Sequence, residues 1–193
     1  MGIPRPRRLQ HIGLVARDLD RMVDFYCEVI GLHVSDRMPY PEDDPISEGI
    51  FLRCNTDHHV ISMFGLRDPA PPQEGDRTEP RPGLHHFAFE MGSFEELRAA
   101  AAYVREHDLP VRAMRIGGPG CQLRIYFWDP ENNLIELYWA LDQVGWDGRS
   151  RPYPPFETVD IETFDIDAWI EWKGPEFSRD ADRAHTGEEA WKR

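Results

Sequence analysis

The chain contains an internal repeat. Residues 9–64 and 84–140 each open on a Leu-X-His sequence, which ends at His11 in the first copy and at His86 in the second. In both copies, a residue that can cap a helix follows this histidine by seven positions. A repeat of this length indicates that the chain is built from two copies of one supersecondary unit, and it limits the possible folds more than any other feature.

Within each copy, the hydrophobic pattern predicts one strand, one helix and three further strands. In the first copy these are expected at residues 9–15, from Asp18 or Asp20 to about 27–30, and at 32–37, 49–54 and 60–64. In the second copy they are expected at 84–90, from Ser93 to about 107, and at 110–116, 123–129 and 134–139. The sequence therefore predicts an α+β fold in which two pseudo-symmetric βαβββ modules form one incomplete barrel.

Three stretches lie outside this pattern. Residues 38–48 are acidic and interrupted by proline, so we expect a loop there. Residues 65–83 hold five prolines and no apolar periodicity, which is typical of an extended linker. Residues 141–193 contain no third copy. We expect them to be a C-terminal extension that packs on the core of the single domain, residues 1–140, or on a neighbouring subunit.

The composition excludes several classes of partner. A formal net charge of −13 argues against binding to nucleic acid or to anionic membranes, because no basic surplus exists to neutralise phosphates. No apolar run approaches the roughly 18 residues that a membrane span needs. The three cysteines form no CxxC pair, which is typical of free thiols in a reducing compartment. We therefore expect a soluble, cytoplasmic globular protein.

The predicted hairpin over residues 123–139 carries a carboxylate in an apolar strand. Its turn is the sequence DPENN at 129–133, where proline presets φ and asparagine accepts positive φ. Glu136 follows, between two large aliphatic residues. Burial of such a carboxylate is costly unless a cation or strong hydrogen-bond donors hold it. The equivalent position in the first copy is Ser62.

Two histidines and this glutamate fall at equivalent positions of the repeat. If the modules are related by pseudo-symmetry, alternation along the strands directs His11, His86 and Glu136 toward one cleft. Two imidazoles and one carboxylate are the ligand triad of non-haem Fe(II) oxygenases, with positions left open for substrate and O₂. A lone strand histidine is more often a core or surface residue. The coincidence of all three positions favours a metal site around which the barrel forms.

The chain resembles the vicinal oxygen chelate superfamily (glyoxalase/bleomycin-resistance/dioxygenase) in four sequences: LQHIGL, DFYCEVIGL, GLHHFAFE and DPENNLIELY. The resemblance covers roughly residues 8–140. Within the superfamily, the chain is similar to the type I extradiol, catechol 2,3-dioxygenase-like enzymes. It implies Fe(II), or alternatively Mn(II), bound by His11, His86 and Glu136. His86 is preferred to His85 because the family ligand, like His11, lies two residues after the leucine.

The resemblance also implies an activity, which is extradiol (meta) cleavage of a catechol-type aromatic diol with incorporation of both atoms of O₂. Such enzymes carry an acid–base histidine in the stretch that is here DHHVISMF, and a tyrosine ten residues before the ligand glutamate. The tyrosine is Tyr126. The histidine is His59 by ungapped comparison, whereas simple alternation from Ser62 selects His58, and an irregular strand start would favour His59.

One motif departs from the family. The family sequence GPGRHG, which supplies a further histidine near the metal, is here GPGCQL, with Cys121 and Gln122. Alternative functions are another metalloenzyme of the superfamily (a glyoxalase-like isomerase, an epimerase or a thiol transferase) or a metal-free small-molecule-binding protein of the same fold. The exposed sheet edges of a two-module chain predict a homo-oligomer.

Overall fold

A computed structural model describes residues 8–69, 71, 82–143 and 152–174. These residues form two compact units. The first consists of residues 8–69 and 71 together with Asp129–Asn132, and the second of the other described residues. Each unit contains one β-sheet, and the described strands form no closed barrel. The α+β class and the two βαβββ modules are as predicted.

The first unit has the element order β-α-β-β-β. The elements are β1 (Ile12–Ala16), α1 (Leu19–Glu28), β2 (His33–Pro39), β3 (Ile46–Arg53) and β4 (Ile61–Leu66). The strand order in the sheet is β1-β4-β3-β2, with β1 parallel to β4 and the other pairs antiparallel. The buried side chains of α1, among them Met22 and Tyr26, lie on the apolar face of that helix.

The second unit repeats this order and extends it. The elements are β5 (Phe87–Glu90), α2 (Phe94–Glu106), β6 (Val111–Ile116), β7 (Leu123–Trp128), β8 (Leu134–Trp139), β9 (Glu157–Thr158) and α3 (Ile166–Lys173). The strand order is β5-β8-β7-β6-β9, and β5 is parallel to β8. The C-terminal extension thus adds one short edge strand and one helix to this unit.

Strand register confirms the repeat residue by residue. Gly13 pairs with Ser62 in the first sheet, and Ala88 pairs with Glu136 in the second. Gly13 and Ala88 each lie two positions after the repeat histidine, so Ser62 and Glu136 are structural counterparts, as predicted. The side chains of Asp18 and Ser93 accept hydrogen bonds from backbone N–H groups of the first helical turns, which confirms both caps.

Some predicted boundaries are wrong. The first strands of the two modules begin at Ile12 and Phe87, so His11 and His86 precede the strands in which we expected them. The cause is that strand pairing, which cannot be read from one segment alone, begins only after each histidine. Within the expected loop 38–48, β2 continues to Pro39 and β3 already begins at Ile46.

The turn of the β7–β8 hairpin has a structural role within the first unit. The Glu131 carboxylate accepts hydrogen bonds from the backbone N–H groups of Arg17 (2.7 Å) and Asp18 (2.8 Å), just before α1. The Tyr26 hydroxyl donates to Asp129 at 2.8 Å, and both side chains are buried. Burial, with the neighbouring carboxylate, raises the pKa of Tyr26. The predicted turn residues therefore also stabilise α1.

The C-terminal helix α3 packs its buried side chains within the second unit. The Trp169 ring lies 5.6 Å from the Trp139 ring at the end of β8. None of the helices in the described residues has the length and apolarity to cross a membrane. Most of the predicted linker, 65–83, and the end of the predicted extension lie outside the described residues.

We expect Tyr26→Phe to lower the free energy of unfolding by about 1–3 kcal/mol, because the buried Asp129 carboxylate loses a hydrogen-bond donor. Chemical denaturation followed by circular dichroism measures the change. Tyr153→Phe removes the same hydroxyl from a side chain that is half exposed, and we expect it to change stability by less than about 0.5 kcal/mol. Equal effects of the two substitutions would contradict the role of the Tyr26–Asp129 hydrogen bond.

Candidate metal centre

Glu136 is a buried carboxylate in the middle of β8, where only 3% of its surface is exposed. Its Oε2 atom lies 2.9 Å from Nε2 of His86. Its Oε1 atom accepts a hydrogen bond of 3.4 Å from the amide nitrogen of Gln122. The costly burial predicted for this carboxylate is thus offset by polar neighbours on both oxygens.

His86 reaches Glu136 because β5 runs parallel to β8. Its side chain is one-third exposed, and its Nδ1 lies 2.6 Å from Nδ1 of His85. The exposed His85 points its other ring nitrogen at Arg112, at 3.1 Å. Burial, and then the charges of His86 and Arg112, lower the pKa of His85. Of the two neighbouring histidines, the structure therefore brings His86 to the glutamate.

Tyr126 lies directly opposite Glu136 in the antiparallel β7–β8 pair. Its ring is perpendicular to that of His86, with centroids 5.4 Å apart. The phenol donates a hydrogen bond to Glu136, and burial together with the charge of that carboxylate raises its pKa to about 12. The predicted shared strand face of Tyr126 and Glu136 is therefore present.

The first unit brings His11 and His59 together. Their ring centroids lie 4.4 Å apart, and Phe51 packs against His59 at 5.1 Å. The neighbouring His58 is exposed, and its Nε2 atom lies 2.7 Å from the carboxylate of Asp36. Burial, followed by the charges of His11 and His58, lowers the pKa of His59.

The choice between the two histidines depends on where the regular strand begins. Because β4 starts at Ile61, alternation from Ser62 does not extend back to His58 and His59. This irregular strand start was the condition under which the sequence favoured His59. The structure places His59, and not His58, against His11.

The candidate residues lie in two sets, one in each unit. The described residues contain no group of three or more His, Cys, Asp or Glu side chains arranged to hold a metal. The first set is His11 with His59, and the second is His86 with Glu136 and Tyr126. In the second set, an imidazole nitrogen and a buried carboxylate oxygen, two donor types that bind iron and manganese, lie 2.9 Å apart.

Gln122 is a residue whose role the sequence did not give. It belongs to the loop from Gly117 to Gln122 that precedes β7, at the place where the family carries a histidine. The sequence signal was the departure from the family motif at this position.

The start of this loop is closely packed. Gly117 has a positive φ of 86°, and a Cβ there would lie 2.2 Å from the Pro155 carbonyl oxygen. Arg124 donates a hydrogen bond of 2.6 Å to the Gly117 carbonyl.

Comparison with known proteins agrees with this architecture. The model of the Glyoxalase/Bleomycin resistance protein/Dioxygenase superfamily matches residues 8–137. The chain is 29% identical over 133 residues to the uncharacterized protein YaeR of Escherichia coli (strain K12), which covers 68% of this chain and 95% of YaeR. It is also 29% identical over 132 residues to biphenyl-2,3-diol 1,2-dioxygenase 3 of Rhodococcus globerulus.

The second of these matches covers 67% of this chain and 62% of the Rhodococcus enzyme, so the chain spans less than two thirds of that relative. Among solved structures, a glyoxalase/dioxygenase from Nostoc punctiforme has the same fold, with a TM-score of 0.54 at 19% identity. That match covers 74% of this chain and 99% of the other. Because the family model matches well over half of the sequence, the chain belongs to the glyoxalase/bleomycin resistance protein/dioxygenase superfamily.

Proposed function

We propose that this protein is an Fe(II)-dependent extradiol dioxygenase that opens the ring of a catechol-type diol with O₂. The proposed ligands are His11, His86 and Glu136, with Mn(II) as the alternative metal. The ligand set rests on the resemblance of LQHIGL, GLHHFAFE and IELY to the family motifs. The short distance between His86 and Glu136 supports two of the three ligands.

The observation that carries the proposal is the position of Tyr126. A metal ligand pair alone is common to many activities of the superfamily, whereas the extradiol enzymes pair it with a tyrosine at this place. Tyr126 lies opposite Glu136 and packs against His86, so one strand pair carries both a candidate ligand and a phenol. His59, half-buried against His11, supports the second part of the extradiol pattern.

In the proposed reaction, the metal, His59 and Tyr126 have different roles. The bound metal would supply a Lewis acid that lowers the pKa of the diol and an open position for O₂. His59 accepts the proton of the second hydroxyl group at a ring nitrogen and later returns it. The Tyr126 phenol, which lies opposite Glu136 in the β7–β8 pair, would donate a hydrogen bond to a substrate oxygen.

The rival activities of the superfamily need a different residue pattern. Glyoxalase-type sites usually bring a fourth protein ligand, and the counterpart of Glu136 in the first module is the buried Ser62. A thiol transferase gives no role to His59 and Tyr126. A metal-free binding protein would need none of the three ligands. The substrate class distinguishes these possibilities directly.

We expect His11→Ala, His86→Ala and Glu136→Ala each to weaken Fe(II) binding by about 100-fold or more, since even residues that only support a ligand are worth about 10–100-fold. Metal content after anaerobic loading, measured by mass spectrometry, gives the result. Ser62→Ala is the matched control, because it changes the equivalent position of the other module, and should keep its iron. Retained iron in any of the three ligand variants would contradict the ligand set.

The iron-loaded protein should consume O₂ with a catechol and form a yellow ring-opened product. His59→Phe should keep its iron and lose about 10²–10⁴-fold in kcat, because the proton acceptor is gone. His33→Phe, a control at an exposed histidine of β2 in the same unit, should leave kcat unchanged. Oxygen uptake and absorbance measure both effects. No uptake with catechol, dihydroxybiphenyl or protocatechuate, despite bound iron, would contradict the proposed activity.

In the metal-free protein, the phenol of Tyr126 should ionise at a higher pH than an ordinary tyrosine. Its neutral form is favoured in the folded state, so its contribution to stability is complete below the ordinary tyrosine pKa of about 10 and is lost as pH rises through about 12. The difference in phenolate absorbance between the wild type and Tyr126→Phe gives the midpoint. A midpoint near 10 would show that neither burial nor the Glu136 carboxylate raises the pKa of this phenol.

A further inference from the structure

Lys173 is a buried ammonium at the end of α3, and its side chain is fully shielded from solvent. Its Nζ donates hydrogen bonds to the backbone carbonyls of Ala140 (2.6 Å), Cys121 (2.9 Å) and Gly120 (3.2 Å). A carboxylate oxygen of Asp142 lies 2.9 Å from the same nitrogen. All four oxygens belong to segments that flank β7 and β8.

Packing alone does not explain a lysine at this position. Removing an ammonium group from water costs several kcal/mol, and an apolar side chain of similar volume commonly fills such a place at no loss of stability. The three N–H donors of an ammonium can, however, bind backbone carbonyls and pair with a carboxylate, which an apolar side chain cannot do. The position is therefore suited to fixing the backbone around it.

Two of these carbonyls belong to residues in an uncommon backbone conformation. Cys121 has a φ of 50° and Ala140 a φ of 64°, and neither is a glycine. Such conformations are unfavourable for residues other than glycine and persist only where the surroundings impose them. Lys173 binds the carbonyls of both residues. Cys121 precedes β7 and Ala140 follows β8, so both lie at the open end of the hairpin, next to the pair Leu123–Trp139.

The loop held in this way carries the side chain that contacts Glu136. Gln122 follows Cys121, is buried, and donates its amide N–H to the Glu136 carboxylate at 3.4 Å. Its amide oxygen has no hydrogen-bond partner among the described residues. The position of Gln122 therefore depends on its backbone, which Lys173 binds one and two residues earlier.

We propose that Lys173 is a positioning residue. It fixes the loop at Gly120 and Cys121, and through Gln122 it sets the orientation of the Glu136 carboxylate. The C-terminal extension thereby acts on the site. The part of this inference that concerns metal binding rests on the proposed function, in which Glu136 is a ligand, whereas the fixing of the loop does not.

The first test measures Mn(II) affinity of the metal-free, full-length protein by electron paramagnetic resonance of the free ion. We expect Lys173→Met to weaken Mn(II) binding by about tenfold or more, the range found for residues that support a ligand. Glu171→Gln is the matched control, because it removes an exposed charge from the same helix, and should leave the affinity unchanged. Wild-type affinity in folded Lys173→Met overturns the proposal.

A double-mutant cycle shows whether Lys173 acts through Gln122. Gln122→Ala alone should weaken Mn(II) binding to a similar extent, and adding Lys173→Met should then cause no further loss. A merely structural role of Lys173 would lower affinity by the same factor in both backgrounds. Additive losses therefore overturn the proposal.

Hydrogen exchange tests the loop without any metal. The amides of Cys121 and Asp142 donate to the Gly118 and Gly120 carbonyls, so they report on this loop. In metal-free Lys173→Met they should exchange at least tenfold faster, while the amides of α2 keep their rates. Unchanged exchange at Cys121 and Asp142 overturns the proposal.

Hydrogen exchange also decides the proposal if Lys173→Met does not fold, or if the wild type binds no metal. If Lys173→Met does not fold, Asp142→Asn replaces it, since it keeps the ammonium and removes its charged partner. Faster exchange at Cys121 then supports the proposal, and unchanged exchange overturns it. If the wild type binds no Mn(II) and no Fe(II), the proposed ligand set fails, and the exchange rates alone decide whether Lys173 fixes the loop.

Discussion

A buried carboxylate in a central strand is the constraint on which the candidate site depends. The Glu136 carboxylate is costly to bury in β8 without polar partners, because its surface is almost entirely removed from water. The partners come from three different segments: His86 before β5, Tyr126 on β7 and Gln122 from the loop before β7. The burial of the Glu136 side chain therefore depends on the position of each of these three segments.

Only the second module buries a carboxylate at this position of the repeat. Ser62 and Glu136 occupy the same register position, opposite Gly13 and Ala88. A serine hydroxyl is cheap to bury compared with a carboxylate, so the first module needs no counterpart of Tyr126. The difference at this one strand position thus gives the second module a buried carboxylate beside its histidine, where the first module has a serine.

Local chemistry and the equivalent positions of the repeat were predictable from the sequence, whereas hydrogen bonds from single side chains to distant segments were not. The caps Asp18 and Ser93 were found because capping depends on neighbouring residues, and the equivalence of Ser62 and Glu136 followed from counting along two similar segments. Lys173 was not found. It is one of only two lysines in the chain, yet the oxygen atoms that it binds lie more than 30 residues away. A lysine at a helix end also has an ordinary explanation in the helix dipole.

The β7–β8 hairpin shows how both ends of one element can be fixed by polar contacts while its middle carries the chemistry. At the turn, Asp129 and Glu131 bind Tyr26 and the start of α1. At the open end, Lys173 binds carbonyls on both strands. Since Tyr126 and Glu136 lie between these points, a register shift at either end would move both. Contacts at both ends of the hairpin therefore hold the two strands that carry Tyr126 and Glu136.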